Sequence, residues 1–178
     1  RMSKSIRIGP AILTDSTSEL ARMVQAANSF ADFVQIDVMD GVFVPPSSIG
    51  AADMAELDVR FSWEVHLMVN YPCDHVASFI RAGARRVTVH AESGINVSEA
   101  IQLARKLHTQ VGLALNPETP VTDVRHLLPL VDSVLLLTVE PGYYGSRFLP
   151  GVLSKVPLLR AAASSLIVAV DGGVKEKN

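Results

Sequence analysis

Seven short runs of apolar, largely β-branched residues recur along the chain, and their ends lie about 22 to 31 residues apart. Several runs, such as Val111–Leu115 and Leu166–Val170, show almost no alternation of polar and apolar residues. A strand that is covered on both faces has this pattern, which is typical of parallel sheets. Since the spacing is near that of one βα unit, it predicts a repeated βα fold. The predicted strands are Ile8–Leu13, Phe33–Val38, Trp63–Met68, Arg86–His90, Val111–Leu115, Val134–Val139 and Leu166–Val170.

Segments with helical spacing of apolar residues lie between these runs. They are Ser18–Ala27, Ala51–Leu57, His75–Ala82, Val97–Leu107 and Val121–Leu128. Residues suited to an N-cap precede three of them, namely Ser16 or Ser18, Asn96 and Thr119. Gly83 is expected to end the third helix, because a residue without Cβ adopts the left-handed conformation easily.

A single row of βα units predicts either a (β/α)8 TIM barrel or an open, doubly wound sheet. No Gly-x-Gly-x-x-Gly motif follows the first run, and polar residues end several runs, so we favour the α/β barrel. Such barrels have about 200 residues or more. We therefore expect residues 1–178 to form a single barrel domain that is truncated at its C-terminus and lacks the eighth βα unit, about 40 residues or more.

Composition excludes several classes of protein. Sixteen Lys and Arg against eighteen Asp and Glu give a net charge of -2 without a basic block, which argues against nucleic-acid binding. No apolar run reaches the roughly 18 uncharged residues of a membrane helix, so we expect no membrane association. The single cysteine, Cys73, leaves no partner for an internal disulfide and favours a reducing compartment, so we predict a cytoplasmic protein.

Polar side chains end three of the predicted strands. Side chains alternate across a strand, so Gln35 and Asp37 share the face opposite Ile36. His66 lies near the end of the third strand, and Asp171 directly follows the seventh. Each residue alone is compatible with a structural role: a satisfied carboxylate, a hydrogen-bonded core histidine and a turn. Together at one rim of a barrel, however, Asp37, His66 and Asp171 indicate a site.

Two carboxylates and an imidazole can perform two kinds of chemistry at one site. They can ligate a divalent metal, and the carboxylates can remove and return a proton. Proton abstraction beside a carbonyl needs both, because the resulting enediolate must be stabilised. Two other motifs have more than one interpretation. Asp40-Gly41 favours a simple turn. Gly142–Gly145 suits either a mobile loop that faces a phosphate or an ordinary surface loop.

In the residues around these positions the chain resembles the ribulose-phosphate 3-epimerase family. The resemblance extends in register over nearly the whole chain. Its motifs are Pro10–Leu13, Ile36–Pro45, His66–Met68, Val89–Glu92, Leu115–Pro120, Val139–Gly142 and Val170–Gly173.

The resemblance implies a barrel isomerase of the pentose phosphate pathway that interconverts D-ribulose 5-phosphate and D-xylulose 5-phosphate by proton transfer at carbon 3. It implies that Asp37 and Asp171 are the acid and base on opposite faces of this phosphorylated ketose. It also implies that both ligate a divalent metal, such as zinc, iron, manganese or cobalt, together with His66. The implied substrate-binding residues are Thr14, His66, Gly142, Tyr143, Tyr144, Gly145, Asp171, Gly172 and Gly173. Because relatives often form dimers or hexamers, we expect a homo-oligomer.

Several positions depart from the family pattern. Gln35 stands where the family has a histidine as fourth metal ligand, and an amide binds zinc more weakly than imidazole does. Further departures near the ligand region are Asp15–Thr17, Pro46, Leu137 and Tyr144. They keep a second hypothesis open, a divergent or non-catalytic sugar-phosphate-binding barrel. A related lyase or decarboxylase is disfavoured, because Asp37 is not followed by the lysine of an Asp-x-Lys-x-x-Asp pattern.

Overall fold

The computed structural model describes residues 6–94, 96–142 and 145–177. In these residues seven strands form one parallel sheet, in which each strand pairs with the next along the chain. The strands are β1 (Ala11–Ile12), β2 (Phe33–Met39), β3 (Ser62–Met68), β4 (Arg86–His90), β5 (Gln110–Leu115), β6 (Ser133–Leu137) and β7 (Ile167–Asp171). This order contains no reversal, whereas a doubly wound sheet has a point at which the strand order reverses. The alternative of a doubly wound sheet was therefore wrong.

Five α-helices are found in the described residues. They are α1 (Thr17–Ala27), α2 (Ala51–Ala55), α3 (Cys73–Arg81), α4 (Val97–Lys106) and α5 (Lys155–Ala162). Ser16 caps α1 as predicted, because its hydroxyl oxygen accepts a hydrogen bond from the Glu19 main chain at 3.3 Å. Gly83 follows α3 with a φ of 108°, which confirms its predicted role at the end of that helix.

Two local predictions need correction. The predicted helix Val121–Leu128 is wrong, since the segment forms two short 3₁₀ turns at Val121–Val124 and Leu128–Leu130. Pro129 lacks the N–H that would carry an α-helix past Leu128. β1 is shorter than the predicted strand Ile8–Leu13, because only Ala11 and Ile12 pair with β2.

Helix α5 had no counterpart among the predicted helices. It contains Pro157, which obscures the helical pattern in the sequence. This proline lies in the first turn of α5, where a missing N–H costs no intrahelical hydrogen bond. A helix-breaking residue near the start of a helix is therefore compatible with α5.

The two faces of the sheet differ in character. Ile36, Val38, Val65 and Leu67 lie in the main apolar core, together with buried residues of the helices. The opposite face carries the buried polar side chains Gln35, Asp37, Glu64, His66, Thr88 and His90. The predicted alternation along the second and third strands is thus confirmed, and it places the candidate site residues on the concave side.

The strands at the two ends of the sheet are the least covered. Ile167 and Val170 of β7 are 52 % and 39 % exposed, and Ile8 before β1 is 96 % exposed. No ladder joins β1 to β7 within the ranges that the structure describes. In the same ranges, no helix has both the length and the apolar composition needed to cross a bilayer.

Candidate active site

The curvature of the sheet brings Asp37, His66 and Asp171 together. Asp37 and His66 are directly opposite each other in the β2–β3 ladder. Asp171 ends β7, at the far edge of the sheet, yet one ligand atom from each of the three residues lies within 4.8 Å of the others. The convergence expected from the sequence is therefore present in the structure.

Gln35 stands between the two carboxylates. Its amide Nε2 donates to Asp37 Oδ1 at 2.8 Å and to Asp171 Oδ2 at 2.7 Å. This orientation of the amide follows from its chemistry, because the opposite one would place the carbonyl oxygen against two acceptors. Gln35 of β2 thus contacts Asp171 of β7, which lies 136 positions further along the sequence.

His66 is 1 % exposed and uses both ring nitrogens. Nδ1 lies 3.0 Å from Asp37 Oδ1, and Nε2 lies 2.8 Å from Nε2 of His90. Burial disfavours the charged ring, but the hydrogen bond to Asp37 and the nearby carboxylates Asp37, Asp171 and Glu64 outweigh it and raise the pKa of His66.

Asp171 is held in an environment that favours its protonated form. Burial raises the pKa of its carboxyl group, and the negative charge of Asp37 raises it further. The charge of His66 and the hydrogen bond from Gln35 act in the opposite direction without cancelling these effects. Asp171 therefore keeps a proton to a higher pH than an ordinary aspartate does.

Sequence reasoning did not single out His90 and Glu92 as site residues. His90 Nδ1 lies 3.0 Å from Glu92 Oε2, and the main-chain N–H of Asn116 donates to Glu92 Oε1 at 2.8 Å. Burial lowers the pKa of His90 to about 4, so its ring is neutral near pH 7. The available signal was the His-x-Glu spacing at the end of the fourth predicted strand, on the face that carries His66.

A groove with a volume of about 1430 Å³ gives access to these groups. Its lining includes Asp37, His66, Leu137, Gly142, Gly145, Asp171, Gly172 and Gly173. The predicted substrate-binding glycines thus line the same groove as the two carboxylates. Tyr143 and Tyr144, which were also predicted to bind substrate, lie outside the described residues.

The backbone after β7 is held in one conformation by its neighbours. Gly172 has a φ of 108°, and a Cβ at this position would collide with Val139. The Thr138 hydroxyl approaches the carbonyl oxygens of Asp171 and Gly172, at 2.8 and 2.6 Å. The main-chain N–H of Thr138 also donates to the Asp171 carbonyl at 2.7 Å. These contacts fix the chain that carries the Asp171 carboxylate.

Two other candidate residues have local hydrogen bonds. The Thr14 hydroxyl accepts a hydrogen bond from the Ser16 main chain at 3.1 Å, so its role in substrate binding stays a prediction. The Asp40 carboxylate accepts from the main chains of Val42, Phe43 and Asn70 at 2.7 to 2.8 Å. The turn predicted at Asp40-Gly41 is confirmed, and Gly41 has a φ of 75°.

The donor set suits both kinds of chemistry expected from the sequence. Two carboxylates and one imidazole nitrogen are ordinary ligands for zinc, iron or manganese, and their separation is compatible with one shared ion. Gln35 can offer its amide oxygen only after the amide rotates away from its present hydrogen bonds. The two carboxylates also provide a pair of groups that can exchange protons with a bound substrate.

Comparison with known sequences gives one consistent family. Residues 7–178 match the model of the Ribulose-phosphate 3 epimerase family. The ribulose-phosphate 3-epimerase of Treponema pallidum is 36% identical, with 97% of this chain and 83% of the relative covered. That of a Synechocystis species is 35% identical over 99% of this chain and 81% of the relative. The enzyme of Bacillus subtilis is 34% identical over 97% and 83%.

Comparison with solved structures identifies the fold. A 3-keto-L-gulonate-6-phosphate decarboxylase from Vibrio cholerae superposes with a TM-score of 0.70 at 13% identity, over 94% of this chain and 78% of that protein. The tryptophan synthase α-subunit of Pyrococcus furiosus, a mutant, gives a TM-score of 0.62 at 16% identity, over 93% and 77%. These likenesses confirm the predicted (β/α)8 fold class and, at such low identity, carry nothing about the reaction.

Proposed function

Because the chain belongs to the ribulose-phosphate 3-epimerase family, we propose that it inverts carbon 3 of a ketose phosphate by proton transfer. The proposed substrate pair is D-ribulose 5-phosphate and D-xylulose 5-phosphate, as the names of the relatives suggest. The observation that carries the proposal is the meeting of the Asp37 and Asp171 carboxylates beside His66. An epimerisation needs one proton-transferring group on each face of the reacting carbon, and this pair supplies two.

The different environments of the two carboxylates support a division of roles. Asp171 has a raised pKa and suits the group that begins protonated, while Asp37 suits the base. Asp37 removes the proton from carbon 3, and the electron pair of the broken C–H bond moves into the enediolate. Asp171 then delivers its proton to the same carbon from the opposite face. In the reverse reaction the two residues exchange these roles.

A divalent cation fits the donors of this site, and Asp37, His66 and Asp171 are the residues that would hold it. When bound, it supplies positive charge that stabilises the substrate oxygens as negative charge develops on them. Gln35 is the residue at which this chain differs from the family pattern of metal ligands. Its amide already donates hydrogen bonds to both carboxylates, so a cation has to compete with these contacts. Weaker metal binding follows.

The groove residues are proposed to hold the substrate. Gly142, Gly145, Gly172 and Gly173 line the groove, where backbone N–H groups can approach the sugar phosphate without a side chain in the way. Thr14, Tyr143 and Tyr144 remain proposed contacts from the family resemblance. We also propose that the protein acts in the cytoplasm as a homo-oligomer with a phosphorylated ketose as its partner molecule.

The decisive experiment measures exchange of the hydrogen at carbon 3. The protein is incubated in deuterium oxide with zinc or manganese and a panel of pentulose and hexulose phosphates, and NMR follows loss of the proton signal. We expect exchange with at least one ketose phosphate and loss of exchange in Asp37→Asn. Asp123→Asn, which removes the same charge at an exposed position, is the matched control. Absence of exchange with every substrate and metal would refute the proposal.

Gln35 supports a second candidate, a sugar-phosphate-binding barrel without turnover. In this arrangement the amide bridges the carboxylates permanently and keeps them from acting as a proton-transferring pair. The second candidate predicts measurable binding of a ketose phosphate by calorimetry without hydrogen exchange. Turnover of any ketose phosphate would exclude it.

A further inference from the structure

A line of buried hydrogen bonds extends from His66 away from the two aspartates. Nε2 of His66 lies 2.8 Å from Nε2 of His90, and Nδ1 of His90 lies 3.0 Å from Glu92 Oε2. At the far end, the main-chain N–H of Asn116 donates to Glu92 Oε1 at 2.8 Å. His66 and His90 are 1 % and 0 % exposed, so solvent does not take the place of any partner between them.

The chemistry of the groups gives this line one direction. An ionised carboxylate only accepts hydrogen bonds, so Nδ1 of His90 carries the hydrogen that faces Glu92. A neutral imidazole has one N–H, which leaves Nε2 of His90 as an acceptor. Two acceptors do not approach to 2.8 Å, so Nε2 of His66 must carry a hydrogen. Glu92 therefore requires, through His90, that Nε2 of His66 carries a hydrogen, whereas Nδ1 faces Asp37 Oδ1 at 3.0 Å and is the nitrogen that can release one.

Two further contacts hold the line in place. Lys155 of α5 donates to the carbonyl oxygens of Asn116 and Pro117 at 3.0 and 2.7 Å, which orients the chain that presents the Asn116 N–H. The Phe43 ring packs against His90 with a centroid distance of 4.8 Å. The contacts come from α5 and from the loop after β2, outside the strands that carry the two aspartates.

We infer that Glu92 and His90 are positioning residues that keep the hydrogen of His66 on Nε2 and thereby leave Nδ1 available to a divalent cation shared with Asp37 and Asp171. The use of Nδ1 rests on the proposed function, whereas the direction of the hydrogen bonds does not. Partners behind a metal-ligating histidine commonly fix its orientation and the site of its proton. This line of hydrogen bonds assigns that task to Glu92, which is separated from His66 by the ring of His90.

The first test uses the unaltered protein after treatment with a chelator. Ring nitrogens of uniformly ¹⁵N-labelled protein are observed by long-range ¹H–¹⁵N NMR. We expect a protonated Nδ1 and an unprotonated Nε2 in His90, together with a protonated Nε2 in His66. The opposite arrangement in His90 would overturn the inference, and this result depends on neither a metal nor catalysis.

The second test uses Glu92→Gln to reverse the direction of the hydrogen bonds between residue 92, His90 and His66. The Asn116 N–H needs an acceptor, so the new amide oxygen faces it and the amide NH₂ faces His90. His90 must then accept at Nδ1 and donate from Nε2, and His66 must accept at Nε2. We expect the His90 nitrogen signals to exchange character and zinc to bind about 10- to 100-fold more weakly, measured by competition with a chromophoric chelator.

Glu118→Gln is the matched control, because Glu118 is exposed in the loop after β5 and the change in charge is the same. It should alter neither the ring nitrogens nor zinc binding. A folded Glu92→Gln protein with an unchanged nitrogen pattern contradicts the inference. If that variant does not fold, the measurement on the unaltered protein decides. If the unaltered protein binds no zinc but shows the expected protonation of the ring nitrogens, the metal is removed from the proposed function. The direction of the hydrogen bonds from Glu92 to His66 is then still supported.

Discussion

Two layers of buried carboxylates lie on the concave side of the sheet, and they differ in their partners. In the lower layer, Arg86 donates to Glu64 Oε2 and to Gln110 Oε1, both at 2.9 Å. In the upper layer, Asp37 and Asp171 share the amide of Gln35 and face the ring of His66. Glu64 and His66 are only two residues apart on β3.

Burial does not distinguish the two layers. It raises the pKa of Glu64 as well as that of Asp171. The difference lies in the partners, because a guanidinium stays charged at every working pH, whereas an imidazole changes its charge and an amide can be displaced. A fixed cation makes the lower layer a structural ion pair. The upper layer pairs instead with an imidazole and an amide, so its carboxylates stay available for proton transfer.

The largest expected difference between the layers is in catalysis. Asp37→Asn should lower the rate of hydrogen exchange at carbon 3 by about 10²- to 10⁴-fold, since it removes a proton-transferring group. Glu64→Gln should leave the exchange rate of the folded protein near that of the parent. Both rates follow from the same NMR assay in deuterium oxide. Equal losses in the two variants would show that the layers do not differ in function.

Removing the fixed cation tests the structural role of the lower layer. Arg86→Met leaves Glu64 buried without its ionic partner and should lower the free energy of unfolding by about 3 to 5 kcal/mol at neutral pH. Arg22→Met removes an exposed guanidinium paired with Glu19 and should cost far less than Arg86→Met, because solvent screens this pair. Urea unfolding followed by circular dichroism measures both. Equal costs would contradict the assignment.

The cost of Arg86→Met should also depend on pH. Burial raises the pKa of Glu64 in the folded state even with Arg86 present, and loss of Arg86 raises it further. A carboxyl with a raised folded-state pKa lowers stability as it ionises, so the penalty appears as pH rises through that pKa. The cost of Arg86→Met measured by urea unfolding should therefore be smaller at about pH 5 than at about pH 7. A pH-independent cost would show that Glu64 is not the cause.

Gln35→His should make the upper layer more like a metal site. An imidazole is a better zinc ligand than an amide, so we expect zinc affinity to rise by about tenfold or more, about 1.4 kcal/mol. Competition with a chelator and elemental analysis measure the change. Full zinc occupancy in the purified parent would contradict the idea that Gln35 weakens the site.

The sequence was sufficient where local pattern and sheet geometry agree. Alternation along β2 placed Gln35 and Asp37 opposite Ile36, and parallel strands necessarily end at one rim, which brought His66 and Asp171 to the same place. The helix predicted from Val121 failed because the periodicity of apolar residues does not distinguish an α-helix from short 3₁₀ turns.

The contacts that could not be predicted all depend on tertiary distance. A single histidine at the end of an apolar strand indicates only a core position, and His90 gains its role from a 2.8 Å contact with the neighbouring strand. The bridge made by Gln35 spans 136 residues and depends on how strongly the sheet curls. No periodicity in a sequence reports that curvature.

The hydrogen bonds of Thr138 influence how long Asp37 and Asp171 stay together. β7 carries Asp171, and Thr138, just beyond β6, holds the chain at the end of β7 through its main-chain N–H and its hydroxyl. Asp37 and Asp171 are together only while β7 is docked, so these hydrogen bonds act against local opening of that strand. The lifetime of the carboxylate pair then depends on strand opening, which amide hydrogen exchange at Thr138 reports directly, because its N–H donates to the Asp171 carbonyl.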